Sequence, residues 1–392
     1  MNNESSFWKY TRLPRVACLA VALTSAAAWA ESPEPAQQKY FHGFASVGFI
    51  DTTGNNFYGD TRNGGEFDYY ELGLNGFAQL LPNLSISGQI LSRKAGATDE
   101  GKLRLDYGFL DLKVLNQDTS SAGIRVGRVR NPMGFYNESR DVVFTRPSIL
   151  LPQSTYLEGT GIRELIFSSD GAQLYGDWDH DTSHTSLRLT LALDQHVSGQ
   201  TKKNLIGDSP PPLDAANVKL RSPIFAQILH EMDGGRERFA FSYVDAMLTG
   251  DIVPINAPAS LAARFYILSA QYNAENWSLT SEYTLSSSTY EILGMTNRNH
   301  SDGIYLQYQY RFSPEWTGLL RRDLSYPDRS NRGDNVSRDT TLGLRWLPDP
   351  DWLVSGEFHR IRGTGGIPSA DNEGMVLSPN TNLLALMLGY RF

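Results

Sequence analysis

Residues 303–312 read Gly-Ile-Tyr-Leu-Gln-Tyr-Gln-Tyr-Arg-Phe. Ile304, Leu306, Tyr308, Tyr310 and Phe312 alternate with Tyr305, Gln307, Gln309 and Arg311, so an extended chain puts the first set on one face and the second on the other. A helix would need apolar residues three and four apart, and this stretch lacks that spacing. The same alternation recurs in Leu187, Leu189, Leu191 and Leu193, in Trp277, Leu279, Tyr283 and Leu285, and in Trp352, Val354 and Phe358. Each run has about nine or more residues, the length a tilted strand needs to cross the hydrocarbon layer of a bilayer.

Between the runs, connections alternate in length. Short ones fall at Leu81-Pro82-Asn83, Met232 to Gly235, Asn273 to Asn276, Ser313-Pro314-Glu315 and Pro348 to Asp351, with slightly longer ones near Asn116 and His180. Long polar stretches run from Asp51 to Glu66, Arg130 to Asp170, Asp194 to Ser222, Ser286 to Asp302, Ser325 to Asp334 and Arg360 to Asn380. This asymmetry predicts an all-β fold, a transmembrane antiparallel β-barrel with tight turns at one end and long loops at the other. The reading gives about sixteen strands, from Tyr40 to Ile50 through Asn382 to Phe392, enough for an aqueous lumen. Leu103 to Val114 changes phase midway.

Aromatics orient the barrel. Tyr272 with Trp277, Phe312 with Trp316, and Trp346 with Trp352 flank successive short turns, as an interfacial girdle would. The chain stops on Leu384, Leu386, Leu388, Tyr390 and Phe392, a terminal strand of the kind that delivers outer-membrane barrels to their assembly machinery.

Residues 1–30 read as a cleaved signal peptide. Lys9, Arg12 and Arg15 precede an apolar run from Val16 to Ala28, and Ala28-Trp29-Ala30 supplies small residues at the peptidase positions. Residues 31–392 are then the barrel. The single cysteine, Cys18, leaves with the signal segment, so no disulfide scaffold is expected. The whole chain has 35 basic and 43 acidic residues, and removing Lys9, Arg12, Arg15 and Glu4 leaves 32 and 42, a net charge of −10. Such a charge argues against nucleic acid as a partner. Mean hydropathy is −0.35 although Tyr, Phe and Trp total 44, a combination suited to one lipid face and one wet face.

Gly127-Arg128-Val129-Arg130-Asn131-Pro132-Met133-Gly134-Phe135 resembles the Gly-Arg-x-x-x-Pro-x-Gly stretch of the phosphate-selective porin O and P superfamily. The likeness continues through Arg140 and Thr145 to Tyr156, and Gly171-Ala172-Gln173-Leu174-Tyr175-Gly176 resembles the strand that follows. It implies a homotrimer of sixteen-strand porins in which the third external loop, about residues 130–170 here, folds inward and narrows the channel. That family's phosphate selectivity depends on a lysine cluster, whereas Lys202-Lys203 is the only close pair here and lies in a different connection.

A channel works through its radius and the charges at its narrowest part. The expected constriction set is Arg128, Arg130, Arg140 and Arg146 with Glu138 and Asp141. On the wall, the polar phase carries Arg125, Arg188, Arg238, Arg311, Arg321, Arg345 and Arg391 against Glu71, Glu282, Asp323 and Glu357, a slight lean toward anions. Arginines in such a loop also serve merely to pin it to carboxylates. The expected function is passive diffusion of small hydrophilic solutes and ions across the outer membrane of a Gram-negative cell, without enzyme activity or cofactor. A solute-specific channel for phosphate, carboxylate or sugar is the alternative, and a barrel enzyme a further one. The expected partners are the bilayer with its lipopolysaccharide, the barrel-assembly machinery through Phe392, and copies of the same chain. His180 and His184 flank Asp181 in a turn, a spacing that reads better as solvated residues than as metal ligands. No Gly-x-Ser-x-Gly elbow or Gly-x-x-x-x-Gly-Lys loop occurs.

Overall fold

Alternation becomes pairing along nearly the whole chain. The computed structural model describes residues 39–206, 214–253, 255–333 and 336–392; the expected signal segment and Pro210-Pro211-Pro212 lie outside the described residues. In chain order the strands are β1 (Lys39–Thr53), β2 (Glu66–Leu81), β3 (Leu84–Ala95), β4 (Asp99–Gln117), β5 (Ser120–Arg130), β6 (Ser168–Asp179) and β7 (Ser183–Ala192). Two short ones follow, β8 (Gln195–His196) and β9 (Asp214–Leu220). Then come β10 (Ile224–Met232), β11 (Glu237–Val253), β12 (Ala257–Asn273), β13 (Trp277–Ile292) and β14 (Met295–Arg311). The last are β15 (Trp316–Tyr326), β16 (Ser337–Trp346), β17 (Trp352–Arg362) and β18 (Asn380–Arg391). β7 pairs with β10, and β18 returns to β1, so sixteen antiparallel strands close into a barrel and β8 and β9 sit outside that circuit. β9 instead extends the far end of β11.

Closure runs through the chain terminus. Phe392 and Gly43 exchange two backbone hydrogen bonds of 3.0 Å, and the Phe392 ring lies 2.3 Å from where a Cβ on Gly43 would stand. A side chain at Gly43 would push that ring aside.

Along the lipid-facing spans large apolar side chains are exposed at every second position, as at Leu384, Leu386 and Leu388 on β18, Leu342 and Leu344 on β16, and Leu306 and Tyr308 on β14. The residues between them, such as Leu383, Ala385, Thr341, Glu282 and Gln307, are buried. An apolar exterior over a polar interior inverts the soluble pattern, as lipid requires. Trp316 stacks on Trp346 with ring centres 5.4 Å apart, and Trp352 meets Tyr390 at 4.7 Å, so the girdle follows the short turns. Among the described residues no helix is long and apolar enough to cross a membrane.

Two details refine the sequence reading. The phase change in β4 is a bulge: Gln89 pairs with Tyr107 and Ile90 with Leu105, which leaves Asp106 over and turns Leu103 and Leu105 outward together with Leu110 and Leu112. Ser286 to Asp302, expected as a long loop, is instead the paired outer half of β13 and β14, joined by Leu293-Gly294 with φ of 54° and 76°. That turn suits a two-residue hairpin. Ser286, Ser287, Ser288 and Thr289 carry no apolar face because water reaches both sides of the sheet there, so the alternation that marks a strand disappears.

Candidate functional site

Pro132 lacks the N–H that a continued ladder would need, and β5 stops two residues earlier. Residues 131–167 then form the longest connection. Its base is closed by Asn131, whose backbone N–H donates to Phe167 O at 2.8 Å and whose side chain donates to Ser169 Oγ at 2.9 Å. Two helical turns, α1 (Gln153–Tyr156) and α2 (Arg163–Ile166), lie within it.

Three apolar contacts dock this connection on the buried phase of the wall. Met133, Leu165 and Ile166 pack with Phe225, Val244 and Ile267 of β10, β11 and β12. Tyr136, Leu151 and Tyr156 pack with Tyr305 of β14. Val143, Ile149 and Leu150 pack with Ile50, Leu353, Leu383 and Met387 of β1, β17 and β18.

Wall carboxylates complete the attachment, mostly by receiving backbone N–H groups. Glu282 accepts Tyr156 OH at 2.5 Å, Ser269 Oγ at 2.6 Å, Tyr305 OH at 2.7 Å and Phe135 N–H at 2.9 Å. Glu357 accepts Ile149 N–H at 2.6 Å, and Asp323 accepts Gln153 N–H at 2.7 Å. Arg321 donates to Ser148 Oγ and Leu150 O, both at 2.9 Å, and Arg345 to Phe144 O and Arg146 O at the same distance. Gly134 holds φ of +59°, with Tyr156 OH and Glu282 Oε1 within 2.7 Å of a built Cβ. Gly134→Ala should therefore cost more than the roughly 1 kcal/mol of an unfavourable φ alone. A folded barrel that loses its fast electrophoretic mobility at the wild-type temperature would contradict this.

The six residues expected at the constriction separate by environment. Arg140, Asp141 and Arg146 are buried. Arg146 makes a bidentate pair with Glu71, 2.9 Å on each arm, and Arg140 meets Glu158 at 2.6 Å. Burial works to raise the Glu158 pKa, but Arg140, Arg93 and Arg146 outweigh it and hold the group below its ordinary value. Asp141 pairs with Arg163. Arg130 lies 4.0 Å over the Tyr107 ring and donates to the Glu138 carbonyl, while the half-buried Glu138 carboxylate forms no ion pair among the described residues. Arg128 lies apart from them, donating to Ser168 Oγ at 3.1 Å and to Asp170 at 3.3 Å.

On the wall, Arg125 pairs with Asp111, Arg188 with Asp177 and Arg238 with Glu231. Arg311 and Arg391 instead donate to backbone carbonyls, of Ala274, Glu275 and Pro350. Arg93, buried between Glu71, Asp99 and Glu158, was missed from sequence, although it shares the phase of Gln89 and Leu91. His359 was missed too: its ring nitrogens lie 2.7 Å from Asp339 and 3.2 Å from Glu357. Among the described residues no three His, Cys, Asp or Glu side chains are grouped to hold a metal, and His184 contacts Asp179.

No family model and no curated protein sequence matches the chain. Solved structures do resemble it. The outer-membrane channel DcaP of Acinetobacter baumannii aligns with a TM-score of 0.56 at 11% identity over 91% of this chain and 97% of its own. The anion-selective porin from Comamonas acidovorans gives 0.56 at 12% identity over 91% and 100%. OmpT, an outer membrane protein of Vibrio cholerae, gives 0.55 at 9% over 92% and 99%. At such identities the likeness establishes a porin-type barrel fold.

Proposed function

We propose that the barrel is an outer-membrane porin, a water-filled channel for passive diffusion of small hydrophilic solutes and ions with a slight preference for anions. The observation that carries this is the attachment of residues 131–167 to the buried, inward phase of the wall at β1, β10–β12, β14 and β17–β18. A connection held on those sides by the interior face reaches across the lumen and narrows it. Arg140, Arg146 and Asp141 fix its shape as buried pairs, Arg130 and Glu138 are the members a solute meets, and Arg128 with Asp170 stands at its root.

The anion preference rests on pairing. Arg125, Arg188 and Arg238 are neutralised by carboxylates, while Arg311, Arg345 and Arg391 are held by carbonyls and keep their charge. Phosphate as a dedicated solute is disfavoured, since Lys202 is engaged by Asp214 at 3.0 Å and Lys203 by Glu373 at 2.6 Å. Trimer formation, an outer membrane rich in lipopolysaccharide, and handling of the Phe392 strand by the assembly machinery belong to the same reading, and no enzyme activity does.

Planar-bilayer recording tests it. The expected result is stepwise ohmic conductance with a reversal potential of anion-selective sign in a potassium chloride gradient. A folded, heat-modifiable barrel without conductance would refute the porin reading.

A further inference from the structure

Four arginines stand on the outward face of β15, β16 and β17, beyond the apolar belt. Arg322, Arg338, Arg360 and Arg362 are all exposed, on the same phase as Leu320, Leu342 and Phe358. Pairing places them on two adjacent rungs. Arg322 lies across from Thr340, and Thr340 from Arg360; Arg338 lies directly across from Arg362. A groove of about 370 Å³ lined by Arg322, Thr340, Leu342, Phe358, Arg360 and Arg362 joins these cations to the apolar wall beneath them.

Among the described residues none of the four has a carboxylate within 4 Å, whereas outward cations on other strands do: Lys94 with Asp68 at 3.3 Å and Arg264 with Asp245 at 3.8 Å. Directly opposed like charges destabilise a sheet, and neighbouring strands are only about 4.8 Å apart, so the arrangement is favourable when an anion bridges the cations. Depth identifies that anion. From Trp352 in the girdle to Arg362 the strand climbs about 33 Å, or about 25 Å along the membrane normal at ordinary tilt, the height of the apolar band. The arginines therefore lie where outer-leaflet headgroups lie, with Leu342 and Phe358 below at the level of acyl chains.

We propose that these four arginines form a binding site for the phosphates of an outer-leaflet phosphorylated glycolipid, lipid A. Planar guanidinium forks match phosphate oxygens in pairs, and the groove accepts the first methylenes of the attached chains. The site deepens the outer-membrane placement proposed above and needs no property of the channel.

The test uses the full-length barrel in neutral detergent, titrated with bisphosphorylated lipid A and with lipid A stripped of both phosphates. The expected result is that R322Q/R338Q/R360Q/R362Q weakens binding of the bisphosphorylated form at least tenfold and leaves the stripped form unchanged. Unaltered affinity in the variant overturns the proposal. So does a variant that binds lipid A normally but falls from oligomer to monomer, which would make the patch an interface between copies. Heat-modifiable mobility verifies folding. Conductance of the same variant is read separately and should equal wild type, so failure of the lipid site and failure of the channel reading remain distinguishable.

Discussion

Glu71→Ala is expected to free the 140–146 segment, lower the temperature at which the barrel loses its folded mobility, and enlarge the open-channel conductance. Glu71, 1% exposed, receives both arms of Arg146 at 2.9 Å and the Arg93 Nε–H at 3.4 Å, with Ser46 Oγ at 3.3 Å. Its removal leaves Arg146 with only Tyr69 OH, the Arg140 carbonyl and a Met387 sulfur contact. A buried cation stripped of its carboxylate costs about 3–5 kcal/mol, and detachment of the segment, which lets water reach the guanidinium, is the cheapest way to recover that energy. Arg93 keeps Asp99 and Glu158, so the damage centres on Arg146. Replacing both partners by apolar residues of similar volume, Glu71→Leu with Arg146→Met, should restore much of the stability, because no orphaned charge is then left. Wild-type conductance and wild-type melting in Glu71→Ala would show that the pair does not hold the segment.

How much of this was visible in the sequence depends on whether a residue's surroundings repeat along the chain. The membrane-spanning parts of β14, β17 and β18 were legible because lipid imposes an apolar residue at every second position there. The outer halves of β13 and β14 were not, since their Ser and Thr face water on both sides and carry no period. The bulge at Asp106 left a trace as the lost phase of Leu103 to Val114, though not its cause. Phase also placed Glu71, Glu282, Glu357 and Arg321 on the polar face. Their partners were out of reach: Ile149 and Glu357 are 208 residues apart in the chain, and no local pattern announces that a backbone N–H meets that carboxylate. The pairing of the wall charges was out of reach for the same reason, because Asp111, Asp177 and Glu231, the counter-ions of three of its arginines, sit on neighbouring strands. Arg322, Arg338, Arg360 and Arg362 share the lipid-facing phase, yet they converge only once three strands are set in register.

Ion selectivity should respond most to Arg345 and Arg391. Arg345 bridges the Phe144 and Arg146 carbonyls at 2.9 Å, and Arg391 lies 4.8 Å from the Phe144 ring centre while donating to Pro350 O at 2.8 Å. Neither meets a carboxylate among the described residues, so both project uncompensated positive charge beside the narrowing segment. Arg345→Gln with Arg391→Gln keeps an N–H donor near those carbonyls and removes two charges. Two unit charges about 8 Å from a passing ion in water contribute about 1 kcal/mol together, favourable to chloride and unfavourable to potassium, so the chloride-to-potassium permeability ratio should fall about thirtyfold in dilute salt. At 1 M salt the Debye length shrinks to about 3 Å and most of the difference should vanish. A neutral exchange provides the control: Arg125→Gln with Asp111→Asn removes a cation and its partner together, and should leave the reversal potential near wild type. If the arginine double variant keeps the wild-type reversal potential in dilute salt while the control does too, selectivity is set elsewhere, and Arg130 opposite Glu138 becomes the pair to neutralise next.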